Sequence, residues 1–266
     1  EDEPEALTAV YDREKENLQT MYRFGDGSMP YRTWRGSDEF CSYYPFVPYQ
    51  FDLFQRAIEQ LSRHDAFTGR QTSVGERSML EVFQDVVVYL SEQDVGGLAT
   101  FDKMFDGMSA TIRGDMQTSI QQAKDQLDDP LGARILKSLF LLKWVTSFKP
   151  SPRNVAILLI DRPDINIQAH EKAVREALNI LEQQSYLQRN GELYEFLTDI
   201  EKDIETEIKS TEIDESEQTK LLSDVFFADI LRDPKIRYEV NGQDYSYARR
   251  LDDHLVGKDA ELSVNV

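Results

Sequence analysis

A mainly α-helical fold is predicted by three observations. Apolar residues recur at three- and four-residue spacing in one segment after another, as in Phe51, Phe54, Ile58 and Leu61, and again in Met79, Phe83, Val86 and Leu90. The clearest strand-and-turn signature is an Asn-Gly pair between short apolar runs, and it occurs only at Asn190-Gly191 and Asn241-Gly242. A chain of 266 residues with 40% hydrophobic and 11% aromatic side chains can bury a sizeable core and is too apolar for disorder.

The elements follow in order. Residues 1–43 hold a helix over Leu7–Met21 and a loop over Phe24–Cys41 rich in Gly, Pro, Ser and aromatics. The opening Glu1-Asp2-Glu3-Pro4 reads as an excised piece continuing from an upstream region. Residues 44–129 form a helical block. Pro48 suits the first turn of its first helix, because its missing N–H has no intrahelical partner there anyway. A second helix starts near Gly75 and is broken at Gly96-Gly97. Leu98–Met108 is a third, and Ile112, Met116, Ile120, Ala123 and Leu127 mark a fourth.

Asp128-Asp129-Pro130 is a boundary, with acidic capping residues ahead of a proline. Beyond it come an apolar helix over Leu131–Phe148, a turn at Lys149-Pro150-Ser151-Pro152 and a short apolar element over Asn154–Ile160. A second turn, Asp161-Arg162-Pro163-Asp164, leads into a long amphipathic helix over Ile165–Gln184 and then the Asn190-Gly191 hairpin. Helix, short helix, turn, helix and hairpin are the order of a winged helix-turn-helix, predicted over residues 130–198. Residues 199–266 read as acidic helices, with Ile200, Ile204 and Ile208 on one stripe, a small hairpin over Lys235–Tyr247, and a frayed or cut tail from His254.

Net charge is −19, which disfavours non-specific binding of nucleic acid by the whole chain. The charge is segregated. Residues 130–198 carry nine Lys/Arg against seven Asp/Glu, whereas residues 199–231 carry eleven acidic and three basic side chains. One cysteine, Cys41, rules out an internal disulfide and suits a reducing cytosol. No apolar run reaches the length of a membrane span.

Catalytic chemistry finds little footing. There is no Gly-x-x-x-x-Gly-Lys-Ser/Thr loop. Gly257-Lys258-Asp259 lacks the upstream glycine and has Asp where Ser or Thr would hold magnesium. Ala156–Asp161 imitates the metal-binding strand of a P-loop ATPase, but a buried helix followed by a turn is the preferred reading. His64, His170 and His254 share no metal-ligand spacing with Cys41. No catalytic residue, metal site or bound cofactor is therefore expected within this chain.

Two binding constellations remain. Arg77 falls in the first turn of a helix just after Gly75, as in the nucleotide-sensing lids of P-loop ATPases, where a guanidinium reaches a γ-phosphate held by another domain. The alternative is a surface arginine paired with Glu76 or Glu81, and Arg70 is a weaker substitute. Gln168, Lys172, Arg175 and Asn179 form one polar stripe on the long helix, apart from the core stripe of Ile167, Val174, Leu178 and Leu181. These side-chain types read bases and phosphates, with Arg189 on the wing and Arg162 at the turn as phosphate contacts. An ordinary solvated face, or a protein-docking face, is the alternative. The resulting fold class is mainly α: a helical lid-like block, a winged helix, then an acidic helical segment with a small β-hairpin.

The stretch Tyr44-Pro45-Phe46-Val47-Pro48-Tyr49-Gln50, followed by Gly75-Glu76-Arg77-Ser78-Met79-Leu80 and Phe83-Gln84, resembles the large P-loop ATPase of BREX phage-defence systems, the BrxC/PglY family. Tyr194–Asp199 and Asp203-Ile204-Glu205 resemble it too. The resemblance implies a cytoplasmic protein acting with a DNA methyltransferase and other defence subunits. It also implies ATP and magnesium bound upstream of Glu1, and partnership with that upstream ATPase domain. Homo-oligomerisation and DNA engagement would belong to the full assembly, and no membrane is involved. A lid followed by a winged helix is also similar to origin-recognition-type AAA+ proteins, although Gly75-Glu76-Arg77 is one residue shorter than their Gly-Asp-x-Arg pattern. The alternative is a DNA-binding winged-helix regulatory module without an ATPase partner domain.

Overall fold

The structure, a computed structural model, describes residues 3–68, 76–92, 95–126, 129–211 and 215–266. It is mainly helical, with small sheets toward the C-terminus. The chain divides into two compact units, Glu1–Thr206 and Glu207–Val266.

In the first unit, α1 (Glu3–Met21) buries Tyr11, Leu18 and Met21, the inward stripe of a helix otherwise rich in charge. The predicted loop over Phe24–Cys41 ends earlier than expected, because Ser37–Tyr43 forms a short helix, α2. Its anchor is Phe40, which is fully buried against Tyr11 and Trp34. Asp38 and Glu39 in its first turn favour the helix dipole.

Helix α3 (Tyr49–Arg63) buries Leu53, Phe54, Ala57, Ile58 and Leu61, and α4 (Glu76–Leu90) buries Val82, Phe83 and Val86. Phe51 and Phe83 stack at 4.4 Å between them. Helix α5 (Asp102–Met108) is shorter than the predicted Leu98–Met108. Residues 98–101 instead bond to distant backbone, with Leu98 N donating to Asp161 O, Ala99 N to Pro45 O and Phe101 N to Leu158 O. Long-range partners have displaced the local i→i−4 bonds there. Gly107 allows α5 to press on α4, since a Cβ at that position would lie 3.0 Å from Val82 Cγ1.

After α6 (Gly114–Gln126) comes α7 (Pro130–Leu142), capped by Asp129, whose carboxylate accepts from Leu131 N with the proline at the first helical turn. Its buried residues lie on every side, Ile135, Leu136 and Leu139–Leu142 among them, as a central helix requires. It packs against α3, α5, α6 and three later elements: α8 (Pro152–Leu158), α9 (Ile167–Gln183) and β2 (Leu193–Phe196). Ala156–Leu158 therefore belongs to a buried helix, the reading preferred over a metal-binding strand. Strand β1 (Leu187–Asn190) pairs antiparallel with β2 about Gly191, which adopts φ +63°.

Phe140 joins the two halves of this unit. Its ring meets Phe105 of α5 at 5.6 Å and Phe196 of β2 at 5.5 Å. One apolar cluster runs from Tyr11 to Phe196, so packing is continuous through 129–130, where the sequence marks a boundary between the helical block and the winged helix. Asn154, fully buried at the start of α8, ties the turn at 25–28 to the same core. Its Oδ1 accepts from Gly25 N, and its Nδ2 lies within bonding distance of Gly25 O, Ser28 Oγ and Lys149 O.

Helix α10 (Asp199–Ser210) is expected from its isoleucine stripe and is present. In the second unit, α11 (Glu215–Asp224) widens into a π-helical segment, Val225–Ile230. The predicted hairpin about Asn241-Gly242 is β3 (Lys235–Tyr238) with β4 (Gln243–Leu251).

The expected frayed tail is a correction. His254–Val256 is β5, antiparallel to β4, and Leu262–Asn265 is β6, parallel to β4. The β4–β5 turn uses Asp252 and Asp253 at φ +47° and +65°, the left-handed pair of a tight hairpin turn, which Asp tolerates. The sheet packs over few residues, with Phe227, Tyr247, Ala248 and Leu251 buried.

Candidate functional site

The sequence places its DNA-facing candidates on α9 and the β1–β2 hairpin. Asn166 caps α9, its Oδ1 accepting from Ala169 N at 3.0 Å. Val174, Ala177, Leu178 and Leu181 are buried, and Ile167 packs half-buried against the core. This leaves Gln168, Lys172, Arg175 and Asn179 on the exposed face, as the periodicity predicts.

The exposed cations have carboxylate neighbours on their own elements. Lys172 Nζ is 3.8 Å from Glu176 and Arg175 Nη2 is 3.4 Å from Glu171, each one helical turn away. Arg189 folds along its own hairpin turn. It donates to Gly191 O at 2.7 Å and to Glu192 at 3.1 Å, and lies 5.6 Å from the centre of the Tyr194 ring. Asn179 accepts from the Tyr194 hydroxyl at 3.1 Å.

Tyr194 thus gathers part of the set. Burial raises its pKa, Arg189 and Arg175 lower it, and Glu182 and Glu192 raise it. Arg162 pairs with Asp164 at 3.1 Å and lines an open cleft of about 430 Å³ with Arg13, Glu92 and Asp161, so carboxylates match guanidiniums there as well. Arg77 lies in the first turn of α4, but its side chain is outside the described residues, as are Arg70 and Gly75.

The three histidines have separate structural neighbours. His64 stacks on Trp144 at 4.4 Å, His170 Nε2 is 2.9 Å from Ala156 O, and His254 Nδ1 is 2.8 Å from Asp252 O. Among the described residues, no group of three or more His, Cys, Asp and Glu is placed to hold a metal. No described helix is long and apolar enough to cross a membrane.

Sequence reasoning missed a charged cluster at the foot of α10. Lys143, its side chain 3% exposed, bonds Glu201 at 2.9 Å, Phe196 O at 2.6 Å and Glu195 at 3.3 Å. Glu201 also accepts from Thr198 N and Thr198 Oγ1, both at 2.8 Å. The signal was present as Thr198-x-x-Glu201, the spacing of a capping box. Asp199 accepts from Ser119, and Lys202 bonds Gln122 while lying 3.6 Å from the Tyr186 ring centre.

Burial resists ionisation of Glu201 most strongly. The bonds from Lys143 and Thr198 together outweigh it and hold the pKa below 4.5. A depressed carboxyl pKa gives stability that is complete above the unfolded value and is lost as pH falls through the folded one. Unfolding midpoints measured against pH should therefore fall more steeply below pH 4.5 in the parent than in Glu201→Gln. Parallel acid limbs would show that this carboxylate contributes nothing.

Residues 211–266 match a family model described as the BREX ATP-binding protein BrxC 4th domain with six-stranded beta sheet. The match supports a fragment of a BrxC-family BREX protein, in line with the resemblance carried by the upstream motifs. No solved structure matches the chain.

Proposed function

We propose that this stretch of a BrxC-family BREX protein is the regulatory and docking region of a P-loop ATPase in bacterial phage defence, coupling nucleotide state to assembly or to DNA engagement. The match over residues 211–266 carries the reading, because that family is described as ATP-binding. This chain has no phosphate-cradling glycine loop, so ATP and magnesium belong to residues outside it. Residues 44–129 act as a lid-like block, with Arg77 as the candidate nucleotide sensor. Helices α7, α8 and α9 with the β1–β2 hairpin act as a winged helix. Other defence subunits, the ATPase core and further copies of the protein are the proposed partners, and the cytoplasm the proposed location.

Titration calorimetry of this chain with ATP and magnesium should detect no binding. Micromolar affinity would overturn the division of labour. In the whole protein, Arg77→Ala should lower ATP hydrolysis or nucleotide-dependent assembly, and unchanged values would return Arg77 to a surface role.

DNA engagement is assigned to the assembled protein rather than to this chain alone. The four cations on α9, its preceding turn and the wing already face carboxylates, and the whole chain is strongly acidic. Anisotropy titrations at physiological salt should give affinities weaker than about 10 μM. Nanomolar binding abolished by Lys172→Glu with Arg175→Glu would favour the alternative, a self-sufficient DNA-binding module.

A further inference from the structure

We propose that a pocket between the end of α7 and strand β2 anchors a peptide segment of a partner protein through one bulky apolar side chain and an adjoining carboxylate. The pocket measures about 200 Å³. Its apolar walls are Leu139 and Leu142 of α7, Val145 and Phe148 of the turn that follows, and Leu193 and Phe196 of β2. Two bonds tie the walls together. Tyr194 N donates to Pro150 O at 3.0 Å, and Lys143 Nζ donates to Phe196 O at 2.6 Å. Packed and cross-tied elements therefore preform the cavity. Its size restricts the occupant. Pockets for drug-sized ligands run to about 300–1,000 Å³, whereas a cavity of about 150 Å³ already holds a benzene ring. This one suits a leucine or phenylalanine side chain and is too small for a nucleotide.

Charge identifies what lies next to that side chain. Two lysines line the pocket. Lys143 is already matched by Glu195 and Glu201. Lys149, half-exposed, has no ion pair among the described residues. Thr146 and Asn190, both exposed, add a hydroxyl and an amide at the rim. A carboxylate beside the anchoring side chain would meet Lys149 with these donors around it. Residues 130–198 are also net basic in an otherwise acidic chain, so an acidic peptide is repelled least here. A nucleic-acid phosphate would also pair with Lys149, but it would leave the apolar walls unfilled. The site rests on its own geometry and not on the nucleotide-sensing role of Arg77.

The test titrates the 266-residue chain, its Leu and Val methyl groups labelled for NMR, with a short Gly/Ser peptide carrying Leu-Asp at its centre. Control peptides carry Ala-Asp and Leu-Lys there. The methyl resonances of Leu139, Leu142, Val145 and Leu193 should shift with the Leu-Asp peptide at a Kd of about 0.1–1 mM, while those of Leu53 in α3 stay fixed. The Ala-Asp peptide should bind at least about tenfold more weakly, because nothing fills the apolar walls. Lys149→Glu should reverse the preference, favouring Leu-Lys over Leu-Asp. Its melting temperature should hold, because the Lys149 side chain has no ion pair to lose among the described residues. Four outcomes would overturn the proposal: no shifts at the pocket methyls, equal affinity for the Ala-Asp peptide, an unchanged preference in Lys149→Glu, or shifts at these methyls produced by a DNA duplex and not by the peptide. The last would make a nucleic acid the occupant.

Discussion

Phe140→Ala is expected to destabilise the first unit by about 3–5 kcal/mol, the cost of removing a buried aromatic ring from a close-packed core. The ring is fully buried in α7 and touches Phe105 from the helical block and Phe196 from the hairpin. The loss should therefore be felt on both sides of Asp129. Trp34 and Trp144 are the two tryptophans, one near the start of the chain and one beside α7, so each can report alone in a background where the other is Phe. Urea titrations should give the same midpoint from both reporters, and Phe140→Ala should lower both together. Separate midpoints, or a shift confined to one reporter, would mean that the helical block and the helix–hairpin segment fold independently.

The second large effect is expected at Asn154. Leucine there has similar volume but leaves Gly25 N without its acceptor and removes one bond each from Gly25 O, Lys149 O and Ser28 Oγ, which keep Ser28 N, Ser151 N and Lys149 N as partners. An orphaned buried polar group costs about 1–3 kcal/mol, and some of these groups regain water if the surface turn loosens, so a net loss of about 3 kcal/mol is expected. For a unit of this size, that corresponds to a melting temperature lower by roughly 6–12 °C. Amide exchange at Gly25 should accelerate as well. A melting temperature within a degree or two of the parent would show that the amide network is dispensable.

The helices were legible wherever an apolar stripe repeated over three or more turns. Phe54, Ile58 and Leu61 in α3, and Val174, Leu178 and Leu181 in α9, are buried as their spacing requires. Both Asn-Gly hairpins were legible for the same local reason, a turn chemistry that specifies its own geometry. What escaped was set by distant partners. Helix α2 rests on the single anchor Phe40, too little for periodicity to detect. Residues 98–101 leave the helical path because their amides are taken by Asp161, Pro45 and Leu158. Strand β6 is paired with β4 in parallel, so no hairpin turn announces it, and His254–Val256 is too short to show alternation. At the candidate site the exposed polar stripe of α9 was readable, whereas the carboxylates facing its cations were legible only as neighbours one helical turn apart.

The burial of Lys143 has a chemical consequence of its own. Acylating reagents must reach the amine from solvent, and this amine is bonded to Glu201 and Phe196 O, and covered. It stays shielded for as long as the foot of α10 remains seated, while exposed lysines such as Lys172 react freely. Modification of Lys143 in mass spectra would thus count the molecules in which that helix has lifted away, and a partner that clamps or releases α10 would alter that count without contacting the lysine.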